Sequence, residues 1–213
     1  VPHRGFSPFY HASPYHSEKV VDSYKVDVAK ANALLDEAGY KADGSGVRMK
    51  VVLDYPTFHS DSLGTGANYV KSQLKKVGIE VELRKPADFP SWAKQIASWD
   101  YQFTMNDHWN YPDPVIGVHR IYLCGNIKNT IWSNTQGYCN KRVDELLQQA
   151  GSTLAMDKRK ALYAEFQDIV NEELPLYFLN EEPYVTVYNK TVKNPPLTVW
   201  GSMQPMDEVW VDK

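Results

Sequence analysis

The sequence predicts an α/β protein with a small, mostly parallel sheet flanked by helices. Segments that alternate apolar and polar residues, which is the period of a strand, lie at residues 47–54, 79–84 and about 101–105. Between them lie segments with apolar residues three and four positions apart, which is the period of an amphipathic helix. Strand, helix and strand in this order form a right-handed βαβ unit, in which the two strands are parallel.

The composition limits the possible functions. With 213 residues, of which 43% are hydrophobic, the chain can form one generous domain or two small ones. Its net charge is -3, from 23 basic and 26 acidic residues that are not clustered. Because the basic residues are spread along the chain, they predict no basic surface that could bind a phosphate backbone. We therefore expect no nucleic-acid partner. The longest apolar runs are far shorter than the roughly 20 residues that a membrane span needs.

The first long element is a helix that follows an N-terminal arm. Asp27 can accept backbone N–H groups as its N-cap, and Gly39 suits the left-handed position after its end. One face of this helix carries its apolar residues, Val28, Ala31, Leu34, Leu35 and Ala38. A turn at residues 43–46 then leads into the first strand.

The second helix is predicted from about Ala67, after a loop over residues 61–66, and Gly78 closes it. The second strand follows with strict alternation. A third, short helix is predicted for residues 89–98, and the third strand comes directly after it. The three strands therefore belong to one small α/β lobe.

Two more helices are predicted after an irregular region that ends near Asn140. The apolar residues of the first are Val143, Leu146, Leu147 and Ala150. For the second helix, Asp157 is a candidate cap and Pro175 marks the end. The tail has strand-like pieces at residues 176–179 and 184–188 but also four prolines, so we expect it to pack against another part of the protein.

The densest group of polar and aromatic side chains follows the third strand, at residues 106–114. Two prolines in this segment prevent the strand from continuing. A loop at the carboxyl end of a parallel strand is where open α/β sheets bind ligands. The candidate ligand contacts are Asn106, Asp107, Trp109, Asn110, Tyr111 and, from a later loop, Trp132.

Each candidate also has a structural alternative. Asn106 and Asn110 can donate and accept hydrogen bonds to a solute. Trp109 and Tyr111 offer flat faces to sugar rings or peptide bonds, but both rings can equally pack beneath the loop. Asp113 lies between two prolines, where a carboxylate more often binds backbone N–H groups and shapes the turn.

No metal and no cofactor are predicted. His108 is a lone histidine, and the histidines of the arm match no metal-ligand spacing. Cys124 and Cys139 flank a polar loop without a CxxC pattern. They are either two free thiols or, as we favour, a disulfide, which would place the protein in an oxidising compartment.

A carboxylate-based hydrolase is the alternative function. Asp107 and Asp113 lie six residues apart on one loop with His108 between them, and paired carboxylates can perform acid and base catalysis. The sequence has no nucleophile elbow, metal-ligand spacing or glycine-rich phosphate loop. We therefore expect a binding protein and not an enzyme.

Five separated segments share their order and spacing with one known family. They are the helix at Asp27–Tyr40, the turn at Leu74–Val81, the stretch Trp109–Pro114, the region Asn134–Ala150 and the segment Arg159–Pro175. None is specific by itself. Together, over roughly residues 25–180, they resemble the extracellular solute-binding proteins of family 5, the oligopeptide, dipeptide and nickel type that feeds ATP-driven (ABC) importers.

The resemblance implies a lobe of the type II periplasmic-binding-protein fold at residues 25–175. An arm at residues 1–24 precedes it, and a return segment at residues 176–213 is expected to pack on a first lobe outside this chain. The implied function is capture of a small polar solute, a peptide or a sugar, in a cleft between two lobes that close around it. The implied partner is the membrane permease of the importer. The implied location is periplasmic, either free or lipid-anchored through the part that precedes this chain.

One residue departs from the peptide binders of this family. They commonly place an aspartate two residues before the Pro-Asp-Pro element, where it pairs with the ammonium group of a peptide. This chain has Asn110 there, and an amide carries no charge to balance a buried ammonium. Asn110 therefore favours a neutral or polyhydroxylated solute over a peptide with a free amine. Asp107 remains a candidate to pair with the ammonium group in place of the missing aspartate.

Overall fold

The computed structural model describes residues 3–21, 23–56, 62–182, 185–198, 200 and 203–212. The chain divides into two compact units. Unit 1 contains residues 1–21, 110–119 and 146–213, and unit 2 contains residues 22–109 and 120–145. The predicted division into an arm, a lobe and a return segment stays a prediction.

The helices and strands of the described residues follow one another as a mixed α/β series. In chain order they are β1 (His3–Arg4), α1 (Val28–Glu37), β2 (Met49–Asp54), α2 (Ser62–Lys75), β3 (Ile79–Arg84), α3 (Phe89–Ala97), β4 (Phe103–Thr104), α4 (Val118–Tyr122), α5 (Lys141–Ser152), α6 (Met156–Glu173), β5 (Asn180–Glu181), β6 (Val192–Lys193) and β7 (Trp210–Val211). None of these helices is long and apolar enough to cross a membrane.

A three-stranded parallel sheet forms the centre of unit 2. Its strand order is β3-β2-β4, with Met49 opposite Ile79 and Leu53 opposite Phe103. Alternate side chains of the strands point into a core that α2 also contacts. The buried members of this core are Leu53, Ala67, Val81 and Met105. The predicted α/β fold with a parallel sheet is confirmed.

The sheet of unit 2 also contains a buried ion pair. The carboxylate of Asp54, at the end of β2, is fully buried, and Arg84 binds it through two nitrogens at 2.6 and 3.0 Å. Such a two-point contact satisfies both carboxylate oxygens, which a buried charge requires. It ties the ends of two neighbouring strands together, next to the start of the loop that carries the candidate site.

The helix ends of unit 2 follow local sequence signals, with one exception. Asp27 caps α1 by accepting the N–H of Lys30 at 2.9 Å, as predicted. Helix α2 begins at Ser62, so the prediction of a loop is wrong for residues 62–66, while residue 61 lies outside the described residues. The glycines of this segment weaken the helix signal, but a Cβ at Gly66 would lie 3.0 Å from the Met105 methyl group. Close packing on the sheet therefore explains a helix here that propensity does not predict.

Unit 1 is built around α6, on which the N-terminal arm packs. The rings of Phe9 and Tyr15 lie 5.3 and 4.9 Å from the ring of Tyr163. Gln167 is fully buried and binds the arm twice, because it accepts the N–H of Ser17 and donates to the carbonyl of Tyr15. The arm is therefore part of the core of unit 1.

Three predictions for the C-terminal part are wrong. Asp157 is not the N-cap of α6, because this helix begins after Ala155. Asp157 lies in the first turn, where its negative charge interacts favourably with the helix dipole. Residues 176–179 form no strand. Nor do residues 185–188, while residue 184 lies outside the described residues. The described strands of the tail are pairs of residues, β5 beside β1 and β6 beside β7.

Candidate functional site

The loop that the sequence singled out begins where β4 ends. Met105 extends the strand pairing by donating its backbone N–H to the carbonyl of Asp54 at 2.8 Å. Asn106 then fixes the turn, because its Oδ1 accepts the N–H of Asp107 at 2.8 Å. The loop therefore starts at the carboxyl end of a parallel strand, the edge at which open α/β sheets bind ligands.

In unit 2, the candidate side chains differ in exposure. Asn106 and Asp107 are half-buried, whereas the indole of Trp109 is 41% exposed. Trp132 has a left-handed backbone with φ of 55°, and its ring lies 5.8 Å from that of Phe89 in α3. Trp132 is 37% exposed although it packs partly on a helix, so both tryptophans keep part of their surface exposed.

In unit 1, Asn110 and Tyr111 are already in contact with other parts of the chain. Asn110 donates its side-chain N–H to the carbonyl of Pro8, while its Oδ1 is buried without a partner among the described residues. The Tyr111 ring stacks on Trp200 with centroids 4.8 Å apart. Asn110 therefore uses the nitrogen but not the oxygen of its side-chain amide. The Tyr111 ring packs on another aromatic ring, which is the structural alternative that the sequence allowed.

Asp113 is bound by an arginine that the sequence did not connect to it. Its Oδ1 accepts an N–H of Arg159 at 2.7 Å and the backbone N–H of Val115 at 3.0 Å. The Arg159 hydrogen bond, more than the opposing effect of burial, lowers the pKa of Asp113 below its ordinary range. The expectation that Asp113 shapes the turn fits these contacts, because a carboxyl with a lowered pKa is a poor proton donor.

Arg159 also holds other parts of unit 1. Its Nε donates to the carbonyl of Ala150 at 2.9 Å, and its Nη1 donates to the hydroxyl of Tyr15 at 3.0 Å. The neighbouring His119 binds the Tyr163 hydroxyl at 2.9 Å, and burial lowers the pKa of His119 to about 4. These contacts make a rigid support for the second half of the loop.

A disulfide closes the irregular segment of unit 2. Cys124 and Cys139 are bonded, which confirms the favoured prediction. Inside this segment Asn134 is fully buried, and it donates to the carbonyls of Leu123 and Tyr138. A polar loop that is internally bonded in this way needs no contact with solvent to keep its shape.

Three side chains of unit 2 have buried polar atoms that the sequence did not reveal. His108, Arg120 and Gln136 each bury a side-chain nitrogen or oxygen that has no hydrogen-bond partner among the described residues. Burial, aided by the positive charge of Arg120, lowers the pKa of His108 to about 4, so this ring is neutral at pH 7. No local pattern marks these residues, because they lie on a loop, a short helix and the disulfide-closed segment.

No metal centre accompanies these groups. Within the described ranges, no three His, Cys, Asp or Glu side chains are arranged to hold a metal ion.

The comparison with protein families decides the class of the chain. The family model described as bacterial extracellular solute-binding proteins, family 5 Middle, matches residues 3–129. The chain belongs to this family. The family 5 resemblance found in the sequence is thereby confirmed.

Individual members of family 5 agree with this result. The peptide transport periplasmic protein SapA of Haemophilus influenzae is 27% identical over 140 residues, which are 64% of this chain and 24% of SapA. A solved structure of the periplasmic binding protein DppA from Helicobacter pylori, in complex with peptide STSA, has a TM-score of 0.76 at 21% identity. That match covers 100% of this chain and 40% of DppA.

A third family 5 relative holds a different ligand. The oligopeptide-binding protein of Thermotoga maritima, solved with bound mannohexaose, has a TM-score of 0.76 at 22% identity and covers 92% of this chain and 39% of that one. Identities this low support the fold, which is that of a type II periplasmic binding protein. The chain spans less than half the length of each of these three relatives.

Proposed function

We propose that this chain is the solute-binding component of an ABC-type importer, contributing one lobe and the return segment of a two-lobed receptor for a short peptide. Membership of the extracellular solute-binding family 5 is the observation that carries this proposal. Relatives with peptide in their names or in their binding sites favour a peptide over other solutes. The proposed partners are a membrane permease and a first lobe of the same protein.

The ligand-facing edge in this proposal is the loop at residues 106–114. The proposed ligand contacts on this loop are Asn106, Asp107, Trp109 and Asn110, whose Oδ1 has no hydrogen-bond partner among the described residues. Tyr111 and Trp132 would shape the surface from their packed positions. The location that fits this function is the periplasm or the outer face of the membrane, either free or held by a lipid anchor.

A sugar is the second candidate solute. It is favoured by Asn110, which supplies an uncharged amide where an aspartate would bind a peptide ammonium. The mannohexaose complex of the Thermotoga maritima relative supports the same alternative. The carboxylate-based hydrolase is not favoured, because Arg159 lowers the pKa of Asp113 and so makes this carboxyl a poor general acid.

Calorimetry on the protein completed by its first lobe tests this proposal. The panel contains tripeptides, tetrapeptides and mannohexaose, and we expect one peptide bound per protein and no turnover. Trp109→Ala should weaken that binding about tenfold, because a partly exposed indole supplies stacking area to the solute. Tyr69→Ala, which removes an exposed aromatic ring of α2, is the matched control and should leave the affinity unchanged.

Three outcomes would count against the receptor proposal. Hydrolysis of a peptide without stoichiometric binding would favour the carboxylate-based hydrolase. Binding of mannohexaose without binding of any peptide would indicate that the solute is a sugar. A panel in which nothing binds would remove the small-solute function altogether.

A further inference from the structure

Trp132 has a backbone conformation that glycine favours and that tryptophan rarely adopts. Its φ is 55°, in the left-handed region, where the Cβ of a large residue crowds the following carbonyl oxygen. Such a conformation persists only where the surrounding structure enforces it. The side chain is nevertheless exposed, and its ring packs on that of Phe89 in α3 at a centroid distance of 5.8 Å. An aromatic ring is therefore held at the surface of unit 2 against the preference of its own backbone.

The structure that enforces this conformation is the disulfide-closed segment, residues 124–139. Within it, the hydroxyl of Ser133 donates to the carbonyl of Thr130 at 2.8 Å, which closes a tight turn around Trp132. Asn134 is fully buried, and its side chain binds the backbone at both ends of the segment. The disulfide joins the same two ends covalently. The conformation of Trp132 therefore depends on a segment that the disulfide closes.

The disulfide is placed where a reductant can reach it. Cys139 is exposed and Cys124 is half-buried. Exposed disulfides are reduced more easily than structural ones and include the regulatory ones. The bond that closes the segment is therefore of the kind that can change its redox state in a folded protein.

The disulfide-closed segment is attached to the strand that leads into the candidate loop. Tyr101, two residues before β4, donates its hydroxyl to the carbonyl of Thr135 at 2.5 Å. We propose that the disulfide is a redox gate on solute capture. While the bond is closed, it holds the Trp132 ring in place for the solute, and its reduction releases the ring and weakens binding. The gate regulates the proposed receptor and rests on that function.

The gate opens by exchange with a dithiol. A thiolate of the dithiol attacks the sulfur of Cys139, the S–S bond breaks, and the sulfur of Cys124 leaves as a thiolate that takes up a proton. The second thiol of the reductant then attacks the mixed disulfide and releases Cys139 as a thiol. The dithiol becomes a disulfide, and its two electrons and two protons end on the two cysteines. The reverse exchange closes the gate.

The first experiment follows the Trp132 ring on this chain by ¹⁹F NMR with 5-fluorotryptophan. The Trp132 resonance is assigned by its loss in Trp132→Phe. Trp92, which is buried in α3, gives the resonance that a soluble paramagnetic chelate does not broaden. Dithiothreitol should move the Trp132 resonance towards its position in the denatured chain and leave that of Trp92 in the folded range.

Two results of this experiment would overturn the gate. One is a Trp132 resonance that dithiothreitol does not move. The other is a Trp92 resonance that moves to its denatured position as well, because reduction would then unfold unit 2 instead of releasing one ring. The double variant Cys124→Ala with Cys139→Ala should show the released Trp132 resonance with and without dithiothreitol.

The second experiment measures binding by calorimetry on the protein completed by its first lobe, with trialanine, tetraalanine and mannohexaose as probes. For a probe that binds, dithiothreitol should weaken the affinity about tenfold, because the solute loses an ordered ring to stack on. The double cysteine variant should bind equally weakly without reductant. Trp132→Gly removes the ring and inserts the residue that this backbone favours. It should bind as weakly as the reduced wild type and should not respond to dithiothreitol.

Trp99→Gly is the matched control. Trp99 also has a φ of 55° and an exposed side chain, but it follows the end of α3 and lies outside the disulfide-closed segment. This variant should keep both the wild-type affinity and its response to dithiothreitol. If the wild type binds a probe equally in both redox states, or if Trp132→Gly still responds, the gate is wrong and the receptor function stands. If no probe binds, the receptor function is wrong and the gate on capture falls with it, whereas the NMR result still shows whether the disulfide orders Trp132.

Discussion

At the scale of single residues, the contact between Asp113 and Arg159 makes a clear prediction. Arg159 is 14% exposed and Asp113 is 48% exposed, so the pair is only partly shielded from water. Asp113→Asn removes the charge at nearly constant shape and leaves the guanidinium without its carboxylate. We expect the free energy of unfolding at pH 7 to fall by about 1–2 kcal/mol, less than for a fully buried pair. Urea denaturation measures this difference.

Glu145→Gln is the control for Asp113→Asn. It removes the carboxylate of the exposed pair between Arg142 and Glu145, which lies three residues apart on α5. Such a pair contributes about 0.5 kcal/mol or less. Equal effects of the two variants would show that Arg159 does not depend on Asp113.

At the scale of the elements, the sequence-based prediction was most accurate where a periodic pattern extends over many residues. Helix α1, strand β2 and strand β3 lie where alternation and capping placed them. It failed where local propensity and packing disagree, as in the glycine-containing first turns of α2. The prediction of strands in the tail failed for another reason. Each described strand there is two residues long, which is too short to show a periodic pattern.

The disulfide-closed segment is the element whose stability can be tested directly. The chain-entropy model gives about 3 kcal/mol for a loop of this length, because the bond restricts the unfolded chain. Cys124 and Cys139 are separated by 15 residues. The double variant Cys124→Ala with Cys139→Ala should therefore unfold at lower urea concentration. Dithiothreitol should destabilise the wild type by a similar amount and leave the double variant unaffected.

An unchanged stability of the double variant would contradict this account of the segment. The hydrogen bonds of Asn134 and the bond from the backbone N–H of Cys124 to Asp144 would then hold the segment without the disulfide. Measuring the double variant and the reduced wild type separates these two sources of stability.

At the scale of the whole molecule, the sequence predicted the family and the loop that follows β4, but not the hydrogen-bond partners of the loop's side chains. The carbonyl that accepts from Asn110 belongs to Pro8, 102 residues away in the chain. Arg159 binds Asp113 across 46 residues. Such partners depend on how distant segments meet, and neither periodicity nor spacing contains that information. The buried Nε of Arg120, which has no hydrogen-bond partner among the described residues, was invisible for the same reason.

The stability of the whole molecule should depend on pH through two buried histidines, one in each unit. Burial lowers the pKa of His108 and of His119 to about 4, whereas an unfolded histidine titrates near 6.5. Between these values the unfolded state binds protons that the folded state does not. Lowering the pH from 7 to 5 should therefore reduce the free energy of unfolding by about 1–2 kcal/mol for each histidine.

Urea denaturation at several pH values between 7 and 5 measures this loss. Asp36, Asp43, Asp88 and Asp113 do not contribute to this loss, because hydrogen bonds hold the pKa of each below its ordinary value of 3.8. Replacing either histidine by glutamine should remove about half of the pH dependence, because glutamine does not titrate. A stability that stays constant from pH 7 to 5 would mean that both rings accept protons in the folded state.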